Sequence, residues 1–439
     1  MAARRGRSSN ASAVGVAVLG CGVVGAATAD ALLREASLLK RRSGVTVELR
    51  HVVEKNPEAA KRAKIPEKLV RSDIAAVLAD KQTQVVVELI GGIEPARTLV
   101  LQAIKAGKHV VTANKYLLAM HGREILNAAK RAGVSVGFEA SCGGAIPIIA
   151  ALTQSLLAND ISRIVGIVNG TCNYILTQMT QHGQPYAEAL AGAQAAGFAE
   201  RDPTFDVNGT DSAHKLAVMA GLAFGAEVPF EKIERAGIDG LSDIDLKFAK
   251  EFGYVCKLLA IGEKSVGGLS LRVHPTFVKS DQLLANVHGS FNAISVRGHA
   301  AGETLYYGRG AGGKPTSSAV VSDILAIGLG TAPVLFARLP LLTKKREVPF
   351  VPSSEIVSRN YLRVTTLDVP GVMAQIANIL SKHRISLAGI NQHESRSGQS
   401  VPIVITTHEV KDGDVSRAIK EIDQLKSITA NTVRIRVLG

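Results

Sequence analysis

A short β-branched run, Val14 to Leu19, ends directly on Gly20-Cys21-Gly22-Val23-Val24-Gly25, and helix-forming residues follow at once. Few folds enter a helix from a strand through this glycine spacing. Gly20 permits the tight turn, Gly22 lets the backbone approach a pyrophosphate, and Gly25 lets the helix pack against the strand. The helix N-terminus, entered at Val23 and Val24, supplies amide donors and a positive dipole. The same glycines also occur in purely structural turns, but the strand before them and the helix after them favour dinucleotide binding. Further strand candidates at Val45 to Val53, Val85 to Glu88, His109 to Thr112 and Val134 to Phe138 alternate with helical stretches such as Ala26 to Leu39 and Leu117 to Arg131. Repeated β-α-β of this kind builds a mainly parallel, doubly wound sheet whose ligands sit at the carboxyl ends of the strands.

The second strand ends on Val53-Glu54-Lys55. A carboxylate there would bridge ribose hydroxyls and disfavour a 2′-phosphate, which argues for NAD. Lys55, Lys61 and Arg62 follow closely, and Glu54 lies further from the fingerprint than is usual, so the cofactor is read as NAD(P), with Glu54 as a solvated strand end the plainer alternative.

At 439 residues the chain has length for about three domains. A tail over 1–13 precedes a Rossmann domain over 14–144. From 145 the texture changes to longer helical segments, Ile146 to Ala158, Tyr186 to Ala196 and Ser212 to Ala223, mixed with strands at Ile164 to Val168 and Leu269 to Val273. This predicts a mixed α/β domain over 145–339, its last helices returning to the first domain. The Pro- and Lys-bearing stretch from Pro340 opens a linker over 340–358. The remainder, 359–439, has the order β-α-β-β-α-β of a small ferredoxin-like module.

Lys and Arg exceed Asp and Glu by 51 − 38 = 13, but no run of basic residues concentrates the charge, and aromatics are only 4%. That composition disfavours a base-stacking nucleic-acid module and suits a small acidic ligand. Cys21, Cys142, Cys172 and Cys256 lack metal or redox spacing, and with no leader pattern at the start they predict a reducing, cytoplasmic setting. No stretch has the apolar length to cross a bilayer. The opening basic residues Arg4, Arg5 and Arg7 read as part of a frayed tail.

A second chemical signal lies between Glu200 and Lys215, where Glu200, Asp206 and Asp211 precede a lysine. Asn208-Gly209 marks a turn, Asp211 and Ser212 can cap the next helix, and Asp211 and Lys215 fall one turn apart on one face. Three carboxylates near one ammonium suit a dehydrogenase, which needs a proton donor for the alkoxide as hydride arrives at a carbonyl carbon. A solvated acidic loop with an i,i+4 ion pair would look the same. Lys215 is the first candidate for proton transfer and Lys115, just past the strand at His109 to Thr112, the second. Gly308 to Lys314 nearly matches a phosphate loop, but Pro315 replaces the hydroxyl residue that would hold Mg²⁺.

Taken together, Gly20 to Gly25, Glu88 to Gly92, Thr112 to Lys115, Glu139-Ala140, Asn169 to Thr171 with Asn173 to Leu176, Glu200 to Lys215 and Gly308 to Thr316 resemble the homoserine dehydrogenases, enzymes that interconvert L-homoserine and L-aspartate 4-semialdehyde. The tail, with Leu367 to Val372 as first turn, resembles an ACT domain. With no aspartate kinase region before the first domain, the form expected is monofunctional. The resemblance implies a catalytic and dimerisation role for 145–339, with Lys215 as general acid and base, Asp211 orienting it, and Lys115 at the junction of nicotinamide and substrate. It implies that Glu200, Asp206, Asp211, Gly170 and Thr171 hold the substrate, and that Gly310 touches the cofactor. It also implies a Na⁺ site on the Glu139 carboxylate and the backbone oxygens of Cys142, Gly144 and Ile146. In the tail it implies an amino-acid effector, threonine, at Asp368, Gly371 and Val372, and a homodimer or homotetramer as the assembly. Two rivals remain: an acylating aldehyde dehydrogenase with Cys142 as thiolate and His214 as base, and a non-enzymatic amino-acid sensor that keeps the fold.

Overall fold

In a computed structural model the described residues are 13–392 and 400–439, and they form two compact units. Of the tail expected over 1–13, residues 1–12 lie outside the described residues. Of the first unit's segments, Met1–Ala158, Ala217–Val228 and Gly308–Arg346, the first carries a six-stranded parallel sheet. Its strands are β1 (Val14–Leu19), β2 (Val47–Val53), β3 (Val70–Arg71), β4 (Thr83–Glu88), β5 (His109–Thr112) and β6 (Val136–Gly137), in the spatial order β3-β2-β1-β4-β5-β6. The order reverses between β1 and β4, so the ligand crevice of this doubly wound sheet falls at their carboxyl ends, beside Gly20 and Glu88. Val16, Ala17, Val18 and Leu19 are fully buried, as a central strand covered on both faces must be.

Two helices differ from expectation. The stretch Ala26 to Leu39 divides at Glu35 into helices Val23–Arg34 and Ala36–Ser43. The stretch Ile146 to Ala158 forms only Ile148–Ala150 before widening into a π turn over Ala151–Ser155, because Pro147 blocks an earlier start. Among the described residues no single helix is long and apolar enough to cross a membrane.

The second unit, Asn159–Leu216, Pro229–Tyr307 and Glu347–Gly439, is built on one eleven-stranded sheet. Its strands are β7 (Ile161–Ile167), β8 (Glu234–Arg235), β9 (Tyr254–Ser265), β10 (Gly268–Lys279), β11 (Phe291–Gly298), β12 (Gly302–Arg309), β13 (Val357–Leu367), β14 (Leu387–Gln392), β15 (Ser400–Thr407), β16 (Val410–Lys411) and β17 (Ile428–Val437). The main path runs β12-β11-β7-β9-β10-β17-β13-β15-β14. Helices Val372–Lys382 and Asp412–Ile422 complete β-α-β-β-α-β, and Leu362, Val364, Ile376, Ile403 and Val415 lie in their common core. The ferredoxin-like module does not stand apart, however. Its last strand, β17, pairs parallel with β10 through Thr276 with Arg436 and Phe277 with Val437, which makes the sheet continuous. The stretch read as a linker is likewise engaged: Pro340–Thr343 is helical, Arg346 bridges Ala226 in the first unit, and Phe350 bridges Leu269 in the second.

Candidate active site

The glycine turn leaves β1 and enters the helix Val23–Arg34 with Gly22 at its N-cap. Gly20 has φ +92°, and a Cβ there would meet the Leu89 carbonyl oxygen at 2.8 Å. A Cβ on Gly25 would lie 2.1 Å from the Gly20 carbonyl oxygen, so helix and strand approach as closely as the fingerprint requires. Gly22 opens on empty space at the helix N-terminus, a cradle that suits a pyrophosphate. Glu54 braces this loop from β2, its Oε2 accepting the Cys21 amide at 2.8 Å and its Oε1 the Asn56 amide at 2.9 Å. Val23 is 76% exposed at the helix start. The later glycine turn joins the same place: a Cβ on Gly313 would touch the Val23 carbonyl oxygen at 3.1 Å, and one on Gly144 would touch Gly310 at 2.6 Å.

At the carboxyl end of β5, Lys115 is the first residue of the helix Lys115–Ala132, half-buried and capped by Asn114, whose Oδ1 accepts the Leu117 amide. The sequence reading gave no role to Glu88, which is fully buried. Its carboxylate accepts the amides of Ile90 and Gly91 at 2.9 and 3.0 Å and the Thr112 hydroxyl at 2.6 Å. Asn114 in turn donates to the Gly92 carbonyl, so the loops after β4 and β5 are tied together beside Lys115.

The lysine cluster lies in the second unit. Lys215 is 8% exposed, and its Nζ donates to Asp211 Oδ2 at 2.7 Å and to the Val168 carbonyl at 2.6 Å. Asn169 Nδ2 donates to Asp211 Oδ2 at 2.9 Å and to Asp206 Oδ1 at 2.8 Å, while its Oδ1 caps the helix Gly170–His182 at the Cys172 amide. Asn169 therefore joins the two carboxylates, a part the sequence reading missed although an Asn before Gly-Thr at a helix start signals a cap.

Two expectations are corrected here. Asp211 and Ser212 do not cap the next helix, which begins at Thr210, so Asp211 sits inside the first turn at i,i+4 from Lys215. Glu200 does not join the cluster: it stands exposed after the helix Tyr186–Ala195, and no ion pair of its carboxylate is found among the described residues. Thr171 donates its hydroxyl to the Phe198 carbonyl at 2.7 Å, and a Cβ on Gly170 would meet the Ser290 carbonyl oxygen at 2.7 Å. Burial, then the Asp206 and Asp211 charges, push the Cys172 thiol well up, so it stays protonated.

In the first unit, Glu139 is 8% exposed and its two oxygens accept the Ile149 and Ala150 amides, each at 2.8 Å. Its own amide donates to Asp323 Oδ2 at 2.9 Å. Burial pushes the Glu139 carboxyl up to about 7, and burial pushes Asp323 up to about 8, with the Glu139 charge adding to it. Gly143 and Gly144 turn the loop with φ +72° and +56°, and the Ile146 carbonyl accepts the Ile148 amide. No group of three His, Cys, Asp or Glu side chains is arranged for a metal among the described residues. Cys142 is fully buried, and His214 stacks on Phe230 with ring centroids 4.6 Å apart. In the ferredoxin-like module Gly371 has φ +89° and caps the helix starting at Val372. The Val372 side chain is core, and Asp368 accepts a bond from Gln392 at 3.4 Å.

A glycine turn opening on a crevice, in a chain that also buries a lysine among carboxylates, defines a nicotinamide-dependent oxidoreductase. Family models described as the homoserine dehydrogenase NAD binding domain, homoserine dehydrogenase and the ACT domain match residues 20–139, 147–325 and 360–427. The homoserine dehydrogenase of Pseudomonas aeruginosa is 42% identical over 97% of this chain and 98% of its own length, and that of Bacillus subtilis 35% identical over 97% and 99%. The crystal structure of a homoserine dehydrogenase from Thiobacillus denitrificans superposes with a TM-score of 0.91 at 40% identity, covering 97% of this chain and 98% of that one. The chain belongs to the homoserine dehydrogenase family, an oxidoreductase with an NAD-binding domain and an ACT domain. A hyperthermophilic archaeal member whose structure is a complex with NADPH aligns at a TM-score of 0.60 and 26% identity, over 71% of this chain and 97% of that one.

Proposed function

We propose that the chain catalyses the reversible NAD(P)-dependent interconversion of L-homoserine and L-aspartate 4-semialdehyde, in the supply of threonine and methionine, with Lys215 moving the proton. The observation that carries this is the clamp on Lys215 between Asp211 and the Val168 carbonyl, with Asn169 fixing Asp211. Asp206, Asp211, Gly170, Thr171 and Glu200 bind the substrate, a carboxylate pairing with its ammonium; Glu200 would have to turn in from its exposed position. Gly20, Gly22, Val23, Val24, Gly25, Glu54, Lys115 and Gly310 hold the cofactor, which accepts hydride in the oxidation and returns it in the reduction. During oxidation Lys215, entering as the neutral amine, takes the hydroxyl proton as the C–H bond breaks, and during reduction the ammonium gives a proton to the new alkoxide. Asp211 keeps the amine in line for both directions. Initial rates with L-homoserine and either NAD or NADP test the reading and set the cofactor preference.

Na⁺ on Glu139 and the carbonyls of Cys142, Gly144 and Ile146 belongs to the same proposal. The supporting observation is that buried Glu139 lies beside a second acid, Asp323, which accepts the Glu139 amide at 2.9 Å, and no basic side chain is bonded to either carboxylate among the described residues. Both groups have folded-state pKa values above their ordinary ones, so their contribution to stability is full below the ordinary carboxylate range, falls as pH rises from there, and is gone above about 7 for Glu139 and about 8 for Asp323. Thermal unfolding from about pH 4 to 8 is expected to show a loss of Tm from these two groups that Asp323→Asn reduces and Na⁺ offsets in the wild type; equal declines in both proteins would contradict this.

Threonine as effector at Asp368, Gly371 and Val372 of the ACT domain, a homodimer or homotetramer, and a cytoplasmic setting complete the proposal. Inhibition of the intact enzyme by threonine, measured against Asp368→Ala, tests the effector; truncation would not, since β17 is part of the catalytic sheet.

A further inference from the structure

Lys257, on β9, is among the most completely buried large side chains at 1% exposure. No carboxylate among the described residues pairs with it. Its ammonium donates instead to the Val287 carbonyl and, at 3.1 Å, to Asn173 Oδ1. Burying an ammonium without a counter-ion is costly, and two neutral acceptors offset that only in part. The arrangement needs a use that a methionine could not fill.

Asn173 supplies that use. It is 1% exposed in the helix Gly170–His182, one turn after the Asn169 cap. With its oxygen held by Lys257 the amide cannot flip, and its Nδ2 reaches the Val287 carbonyl, which Lys257 also bonds, and those of Gly289 and Phe291, at 3.1, 2.9 and 3.1 Å. A charged donor on Oδ1 also strengthens the amide as a donor. Four residues further along the helix, Thr177 accepts the Gly289 amide at 3.0 Å and donates to the Asn173 carbonyl. The 287–291 loop is thereby gathered onto the first turns of the helix, close enough that its Ser290 carbonyl leaves no room for a side chain at Gly170.

We infer that Lys257 and Asn173 are positioning residues for substrate binding: the buried ammonium locks the orientation of one amide, and that amide seats the 287–291 loop against the Gly170-Thr171 turn. The inference rests on the reading of that turn as a substrate contact. The bonds of both side chains run to the same unit that holds the Gly170-Thr171 turn, so the effect is expected on homoserine.

The test is steady-state kinetics of Lys257→Met and Asn173→Asp, varying L-homoserine and the nicotinamide cofactor separately, on protein shown to be folded by circular dichroism. The KM for homoserine is expected to rise about tenfold or more in each, the scale of losing the charge-assisted bond in Lys257→Met and the Nδ2 bonds to the loop in Asn173→Asp, with the cofactor KM within about twofold of wild type. Should either variant fail to fold, Thr177→Val, which removes a single loop contact, carries the test with a rise of a few-fold in the same KM. A homoserine KM unchanged in the folded variants, or both KM values raised alike, would overturn the inference, whatever happens to Tm. Failure of the underlying reading looks different: wild-type protein that does not oxidise homoserine, or Lys215→Ala that turns over like wild type.

Discussion

Lys215→Ala is expected to lower kcat for homoserine oxidation at least about a hundredfold, the scale of a missing acid/base group, while cofactor affinity stays near wild type. The proposed role rests on how the side chain is held. It spans from Asp211 to the Val168 carbonyl at the end of β7, and Asn169 ties the same Asp211 to Asp206. Removing the amine leaves Asp211 with its Asn169 bond, so the fold of the cluster has a remaining partner and the loss falls on proton transfer. Lys215→Arg is expected to recover little, because a guanidinium keeps its charge and cannot take the hydroxyl proton. Rates of both variants in the two directions check this; a loss confined to KM would mean that the lysine only binds substrate.

The largest effect on stability is expected from Asp245→Ala. Asp245 is fully buried in the helix Asp243–Glu251 and accepts from Tyr361 at 2.9 Å and from Arg363 Nε and Nη2 at 2.7 and 3.1 Å, both residues on β13 of the ACT domain. Its charge raises the Arg363 pKa, chiefly through that hydrogen bond. Truncation strands a guanidinium whose side chain is only 14% exposed, which costs about 3–5 kcal/mol for a buried pair broken on one side. Chemical denaturation measures it, and the double variant Asp245→Asn with Arg363→Met should recover much of the loss because no charge is left unpaired. A double variant as unstable as Asp245→Ala would place the effect in packing.

The first domain was legible because its signals are local. Alternating runs located β1 and β5 to the residue, and the glycine spacing carried its own steric reason in Gly20 and Gly25. Lys215 and Asp211 were legible from helical spacing alone. What escaped was long-range. Asn169 reaches Asp206 and Asp211 across about forty residues, and Glu88 reaches Thr112 from the neighbouring strand, contacts that no periodicity encodes. Glu200 was grouped with the acids by proximity in sequence, yet the turn at Pro203 and the helix Thr204–Val207 carry Asp206 inward and leave Glu200 outside. The tail was read as a separate module because β17 looks like any edge strand; its pairing with β10 joins residues 160 apart in the chain, Thr276 with Arg436 and Phe277 with Val437.

The central claim is that this chain exchanges hydride between a nicotinamide and homoserine with Lys215 as the proton carrier. The most direct measurement adds L-homoserine to the intact protein with NAD or NADP and follows nicotinamide absorbance while trapping the aldehyde. Reduced cofactor and aldehyde should appear in equal amounts with wild type and nearly vanish with Lys215→Ala. Cofactor that binds but stays oxidised would contradict the account and favour a sensor, and equal turnover by the variant would remove Lys215 from the chemistry.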